Sequence, residues 1–515
     1  MAKNRNPGLM GSISRLFTGG AKREADFDAG GAGRRVRNWR ASGGGPNTIS
    51  LGSLKNIRDR SRDLSRKVPW ITSAIESVAA DIVGTGIRPR SSAVDDKFRK
   101  SVEILFRDWN MDADADGVQP FYGLQLMAVR TVIEAGECFV RRRPRRLADG
   151  LSAPLQIQIL EPEFVPLDNA MGMIPRGGNV VKQGIEFNPL GQRVAYWMYK
   201  DHPYDYAGIG RIQNLEVVRV PASEVLHIYK PLRPGQVRGI PWLYPVMLRV
   251  RDLLEYEDAE LVRKKTAAMF AAFVTRKAGE LGPLEDDEED TSAASDSVGE
   301  TTLEAGTVQI LEAGEDVTFS NPADSGSSYE PFLKTQLRAI ASAVGATYEA
   351  VTGDYSDSNF SAARMARNTI NRRTAPFQDL FSFQFNQPIL NWLIEAAFIG
   401  GKISAAGYVD SPRDHTRAEW IAPGWPYTNP KEEAAADELV VKAGLDSRKA
   451  VARRRGKEVT DIDLDQADDN ARADSLGLVH TSDGRYATKN PNQADSEPAA
   501  TDSSGTTGKS KAGAK

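Results

Sequence analysis

Residues 241–270 read PWLYPVMLRVRDLLEYEDAELVRKKTAAMF, the longest helical signal in the chain, and together with the acidic segment after them they decide the architecture. Val246, Val250, Leu254 and Leu261 recur at steps of four, four and seven, which lays them along one face of a helix. Glu255, Glu257, Asp258 and Glu260 lie among them. Arg263, Lys264 and Lys265 gather near the end, where cations suit the helix dipole. A second stripe, Leu333, Leu337, Ile340 and Val344, marks a helix over 331–344 that Gly345 stops. Between the two helices, residues 278–330 hold fifteen Asp and Glu and no Lys or Arg. The densest run is Glu285-Asp286-Asp287-Glu288-Glu289-Asp290. Like charges repel, so such a block is either a solvated loop or an insertion held for a partner.

Upstream, Ile71, Ile75, Val78 and Ile82 recur at three and four residues, and predict helix within 54–83. Pro69 sits near the start of that turn, where its missing N–H does no harm, and Gly84 and Gly86 end it. Further helices are expected over 96–109 and 121–134. Alternating β-rich segments at 137–143, 155–160, 184–187, 193–200 and 225–229, with Pro and Gly between them, predict strands. The body therefore reads as α+β. Downstream, Gly353 to Phe360 is full of turn formers. A long helix over 361–398 contains Pro376 and Pro388, each of which removes an internal hydrogen bond, so kinks are expected. Its aromatics (Phe377, Phe381, Phe383, Phe385, Trp392, Phe398) read as core. Short helices are expected at 432–441 and 447–455. Residues 1–50, rich in Gly, Ser and Arg, read as a flexible arm. From about Thr481 large apolar residues vanish, and a disordered tail is expected.

A chain of 515 residues and 56.2 kDa exceeds one typical core, so two or more structural units are expected. Formal net charge is only −3 but unevenly placed: residues 1–100 carry twenty Lys and Arg against nine Asp and Glu. A basic front and an acidic middle suit contact with nucleic acid or sibling subunits, or are ordinary solubilising charge. Cys138 is the only cysteine. It excludes an intramolecular disulfide and a thiolate metal cluster, favours a reducing cytosol during synthesis, and reads as a small buried hydrophobe. Residues 1–30 lack the apolar core of a secretory leader. The longest apolar run, Ala267 to Val274, is too short to span a bilayer, so a soluble chain is expected.

Several apparent motifs fail on spacing. Gly505-Thr506-Thr507-Gly508-Lys509-Ser510 has two residues between its glycines where a phosphate loop needs four. Asp112, Asp114, Asp116 and Gly117 copy half a calcium loop, but Gly123 stands where the bidentate Glu belongs and Pro120 intrudes. Asp461, Asp463 and Asp465 alternate, with Gln466 where glycine is required. His202, His227, His415 and His480 do not pair at metal-ligand spacing, and His227 reads as a strand histidine. No nucleophile elbow occurs. No cofactor, metal or catalytic set is expected. In the segment Arg58-Asp59-Arg60-Ser61-Arg62-Asp63-Leu64-Ser65-Arg66-Lys67, the arginines Arg58, Arg60, Arg62 and Arg66 could build ion pairs between subunits, grip phosphates, or line a solvated face.

Taken in order, several ungapped motifs resemble the tailed-bacteriophage portal proteins of the lambda type. They are Arg60-Ser61-Arg62-Asp63-Leu64, then Ile82-Val83-Gly84-Thr85-Gly86-Ile87, Trp109 with the 112–117 loop, and Gly136-Glu137 before a strand. After these come the run from Arg233 through Pro241-Trp242, the helix from Arg251 to Glu260, and Tyr355-Ser356-Asp357-Ser358-Asn359-Phe360-Ser361. The resemblance covers roughly residues 35–430. It implies the portal fold, with wing, stem, clip and crown, assembled as a ring of usually twelve subunits around a central channel at one capsid vertex. Terminase pumps double-stranded DNA through such a ring, and the DNA later leaves by it. Expected partners are sibling subunits, DNA of any sequence, terminase, the major capsid protein and head-completion or tail connector proteins, with no membrane. The expected location is the virion, after assembly in the host cytoplasm.

By the same resemblance, 1–50 would be the basic arm, 51–240 the wing, 241–270 the first stem helix, and 271–326 the acidic clip. Residues 327–350 would be the second stem helix, 351–362 the tunnel loop, 363–429 the kinked wing helix and following strands, 430–470 the crown, and 471–515 the tail. Glu285 to Asp290 would face terminase, and Asp354, Tyr355, Ser356, Asp357, Ser358, Asn359 and Phe360 would form the loop toward DNA. Lys334 and Arg338 are placed on the channel wall, where a cation could touch passing phosphate. The acidic segment either repels phosphates near the bore or docks basic terminase surfaces; both readings stand at this point. Competing readings are a minor capsid or scaffold protein without a channel, and a metal-dependent nuclease or packaging ATPase.

Overall fold

The computed structural model describes residues 43–168, 173–205, 214–268, 272–276, 315–319, 329–425, 427 and 429–480. Most of the basic arm, the acidic run Glu285–Asp290, the tail from 481 and the Gly505–Ser510 motif lie outside the described residues. After a short helix α1 (Pro46–Leu51), the chain forms α2 (Leu54–Lys67) and α3 (Pro69–Val83). Val68, extended and placed before Pro69, separates them, because proline disfavours helical backbone in the residue before it. Strand β1 (Arg88–Ser91) leads to α4 (Asp96–Asp112) and α5 (Phe121–Ala135).

Two antiparallel sheets come next. β2 (Glu137–Pro144) is the centre of the first, between β3 (Leu155–Leu160) and a later strand, β8. The second runs in sequence order through β4 (Val180–Lys182), β5 (Ile185–Phe187), β6 (Arg193–Tyr199) and β7 (Val217–Pro221), and β8 (Val225–Tyr229) returns to the first. Alternation along β2 sends Cys138 and Val140 into a large helical core and Phe139 into a smaller one. The smaller core is shared with Ile185, Tyr196, Met198 and Val220 of the second sheet. Cys138 is fully buried, and burial raises its thiol pKa far above the ordinary value, so it packs as an inert hydrophobe.

The long helix α6 (Met247–Ala268) begins six residues later than the sequence suggests. Pro241 and Pro245 keep 241–246 in turns, with Tyr244 N–H donating to the Pro241 carbonyl. Strands β9 (Ala272–Arg276) and β10 (Glu315–Phe319) pair antiparallel at the base of the acidic insertion. Helix α7 (Tyr329–Val344) then runs back against α6. Arg249 Nε donates to Gln336 Oε1 (2.7 Å) near one end, and the Tyr256 ring lies 4.9 Å from that of Phe332 toward the other. Val246, Val250 and Leu253 are buried, as are Leu337, Ile340 and Val344. The apolar face of α6 does not continue to its end: Leu261 is exposed, and Leu253 rather than Leu254 is the fully buried leucine.

Helix α8 (Tyr348–Thr352) and the turn 353–359 precede α9 (Phe360–Phe381), a π-helical segment (Ser382–Asn386) and α10 (Gln387–Ile399). The break falls at the π segment, just before Pro388, whereas Pro376 lies inside α9 without ending it. The widened turn aims Asn386 inward, where its Oδ1 accepts from Gln125 Nε2 (2.8 Å). Phe377, Phe381, Phe385 and Trp392 are buried, but Phe383, on the opposite side of the turn, is exposed.

The last described part is α11 (Pro412–Thr416), β11 (Ala418–Ile421), α12 (Pro430–Lys442), α13 (Arg448–Arg454) and α14 (Val459–Leu476). β11 pairs with β1, more than 300 residues away in sequence. Residues 471–476, expected as part of the tail, complete α14 instead. No helix among the described residues is long and apolar enough to cross a membrane.

Candidate functional site

Three of the sequence motifs converge on one buried carboxylate. Glu137 opens β2 with no exposed surface. One oxygen receives the Arg238 guanidinium (2.6 Å) and that of Arg58; the other accepts Gly239 N–H (2.7 Å) and His227 Nε2–H (2.8 Å). Arg238 spends its remaining donors on the Gln183, Val165 and Pro162 carbonyls, and Arg58 Nε on that of Ala135. Burial by itself would raise the Glu137 pKa. Arg238, Arg58 and the His227 hydrogen bond outweigh it and hold the carboxyl well below the ordinary range. The cluster ties α2, β2, β8 and the 236–241 segment together, and so fixes the entry to α6.

This corrects the reading of the basic segment on α2. Arg58 is neither a subunit contact nor a phosphate ligand; it is buried in the salt bridge to Glu137. Arg62, one turn on, makes a bidentate pair with Glu163 (2.9 and 2.8 Å) and lies 3.3 Å from Glu161. The i,i+4 spacing puts both inward, with Ser61 bonded to the Glu134 carbonyl (2.5 Å). Arg60 and Arg66 are exposed and have no partner among the described residues.

His227 is indeed a strand histidine, stacked on Phe139 and Tyr229. Burial pushes its pKa down to about 4, and its buried Nδ1 has no hydrogen-bond partner among the described residues to receive a proton's charge. The unfolded chain takes up that proton near 6.5. Between pH 6.5 and 4 the unfolded state therefore binds more protons, and stability falls as pH is lowered. The expected loss by pH 4 is on the order of 3 kcal/mol from this group. Denaturant unfolding at pH 7 and pH 4.5 checks it, with a shallower pH dependence expected for His227→Gln.

Of the carboxylate motifs, Asp114 is consumed structurally: its oxygens accept the N–H groups of Asp116, Val118 and Gln119 (2.9–3.0 Å). Asp461 and Asp463 lie on α14 and pair with Arg90 (3.4 Å) and Arg448 (2.6 Å). Among the described residues, the group whose ligand atoms are close enough for a metal is Glu161, Glu163 and His202. The Arg62 guanidinium already lies on both of those carboxylates.

The second constellation joins α7 to the turn before α9. Asp354 builds the turn: its carboxylate accepts the Ser356 hydroxyl (2.6 Å) and N–H (3.0 Å) and the Tyr348 hydroxyl (3.0 Å). These bonds, led by the Ser356 hydroxyl, bring its pKa down to about 2. Asn359 caps α9 by accepting Ala362 N–H (2.8 Å). Asp357, at the tip, reaches across to Lys334 Nζ (3.1 Å) and lies 3.8 Å from the Arg338 guanidinium. Lys334 also pairs with Glu330 (2.9 Å), and these bonds, Glu330 first, raise its pKa. Tyr355 and Phe360 are exposed. Lys334 and Arg338 thus do come together with the 354–360 turn, but as partners of its acid rather than as bare cations.

Against this geometry, residues 32–378 match the phage portal protein, lambda family. The chain belongs to that family, and is a portal protein of a phage head. It is 26% identical over 469 residues to the probable portal protein of Halomonas phage phiHAP-1, covering 86% of each chain. To portal protein B of Escherichia phage lambda it is 21% identical over 501 residues, covering 88% of this chain and 91% of that one. A chain from the neck of a native gene transfer agent particle matches at 15% identity and a TM-score of 0.41, over 76% of this chain and 91% of that one.

Proposed function

We propose that copies of this chain close into a ring, with twelve subunits as the expected number, through whose hole terminase drives double-stranded DNA into the head and by which the DNA later leaves. In this reading the role is structural, in the virion after assembly in the host cytoplasm, with contacts to the major capsid protein and to head-completion or tail proteins. The observation that carries it is the antiparallel pair α6 and α7, which ends on the β9–β10 ribbon and the acidic insertion, with the Asp354–Phe360 turn folded back alongside α7 at Lys334 and Arg338. The pair serves as the stem, the insertion as the clip and the turn as the tunnel loop. Residues 51–240 and 363–429 form the wing and 430–470 the crown.

A ring joins unlike surfaces head to tail, so its interface needs two different faces on each subunit. Exposed Arg60 and Arg66 on α2 are assigned to one of them. Base readout is not expected, since any sequence must pass. Electron micrographs of the purified, assembled chain test the proposal: rings with a central hole are expected, and compact monomers and dimers under all conditions overturn it. Incubation with DNA and magnesium, with and without ATP, tests the structural role; strand cleavage or phosphate release would overturn that part.

Neutralising Glu285 through Asp290 to Gln and Asn checks the clip. The expected result is a strong loss of terminase docking or packaged DNA with the melting temperature unchanged. Unchanged packaging would remove the assignment of that segment.

A further inference from the structure

Lys334 and Arg338 stand one turn apart on α7, the spacing at which two side chains share a face and one anion can lie across both. The anion present is the Asp357 carboxylate, 3.1 Å from Lys334 Nζ and 3.8 Å from the Arg338 guanidinium. Two further groups face the pair. Glu330 holds Lys334 from the preceding turn at 2.9 Å, and the Tyr348 ring lies 5.4 Å beneath the Arg338 guanidinium. Asp354 closes the turn through Ser356 and Tyr348 without using Asp357. The turn therefore stays folded whether or not Asp357 touches α7. Asp357 is 60% exposed, so its contact can open without uncovering any core.

We propose that Asp357 is a resident phosphate mimic: it occupies the site formed by Lys334 and Arg338, which a DNA phosphodiester would otherwise enter, and so gates contact between DNA and α7. This rests on the reading of 354–360 as the loop that faces DNA. The physical logic is competition. Each phosphate neutralised by a bare cation releases counterions and adds to affinity, and a ring repeats that gain in every subunit. An anion tethered a few residues away has a high effective concentration, and a passing phosphate must displace it. The pair then offers DNA a weak, replaceable contact instead of a fixed one. The competition is short-ranged, since exposed charges are screened over ~8–10 Å at cellular salt.

The test is binding of a short fluorescent duplex of arbitrary sequence to the full chain by anisotropy, over a salt series. Asp357→Asn is expected to bind ~3–10-fold more tightly at low salt, with a slope of log K against log salt steeper by ~1–2. Adding Lys334→Ala and Arg338→Ala to Asp357→Asn should return binding to the wild-type level, and Asp357→Glu should keep it there. Asp357→Asn binding DNA no better than wild type overturns the inference, as does a gain that survives removal of both cations. Micrographs of the same preparations separate the two claims. Wild-type chain that never forms rings sinks the channel reading, whereas a ring-forming Asp357→Asn chain with wild-type binding sinks this inference alone.

Discussion

Replacing Glu137 with alanine should destabilise the chain by ~3–5 kcal/mol, the range for leaving one side of a buried ion pair uncompensated. A domain's stability is only ~5–15 kcal/mol, so little folded protein should accumulate. The arithmetic is severe here because the carboxylate serves four donors at once. Without it, Arg58 and Arg238 remain buried as unpaired cations, and Gly239 N–H and His227 Nε2–H lose their acceptor. Glu137→Gln should cost less, since its carbonyl oxygen still accepts one or two of these bonds. Full apolar replacement (Glu137→Met with Arg58→Leu and Arg238→Leu) should recover only part of the loss. Arg238 also satisfies the carbonyls of Pro162, Val165 and Gln183, which would then be orphaned. Soluble yield and urea unfolding at pH 7 measure all three; a Glu137→Ala chain as stable as wild type would show that the cluster does not hold the first sheet, α2 and the 236–241 segment together.

Gly239→Ala should be as damaging, by ~3 kcal/mol or more, through overpacking against main chain that has nowhere to move. A methyl group at 239 would collide with the Gly136 carbonyl oxygen and lie 2.8 Å from Glu137 Cβ. Gly136, the left-handed end of α5, faces the same obstacle, its Cβ falling against the Ile240 carbonyl carbon. The two glycines let two backbones touch so that Gly239 N–H can reach Glu137. Thermal melting and ring yield report the result. Because the segment leads directly into α6, a partly folded variant should lose assembly before it loses helix content by circular dichroism.

Much of this fold is readable along the chain. Apolar steps of three and four mark α3, α4, α5 and α7, alternation marks β2, β3, β6 and β8, and the acidic block stands out between two helices. These signals are local, so a single segment carries them. β1 and β11 carry no such signal: each is four residues long, and each is a strand only because the other lies beside it. Helix α14 buries little more than Ala473, so its apolar stripe is faint. The π turn before Pro388 answers to Gln125, on a helix some 260 residues earlier.

The sites divide in the same way. Gly136-Glu137 could be picked out as a charged residue opening an apolar run, and Arg238-Gly239 as a cation beside a glycine. That they, with Arg58, form one buried cluster is decided only when α2, β2 and the 236–241 segment are folded together. The alternating Arg58–Lys67 segment looks uniform in sequence, yet helical geometry turns Arg58 and Arg62 inward and leaves Arg60 and Arg66 in solvent. Lys334 and Arg338 were legible as cations beside an apolar stripe, but whether they are bare depends on where Asp357 lands. Periodicity, charge blocks and family motifs belong to the sequence, because they depend on neighbours within a few residues. Ion-pair partners, burial of charge and the masking of cations belong to the tertiary structure, because an electrostatic interaction is settled by distance and solvent, not by position along the chain.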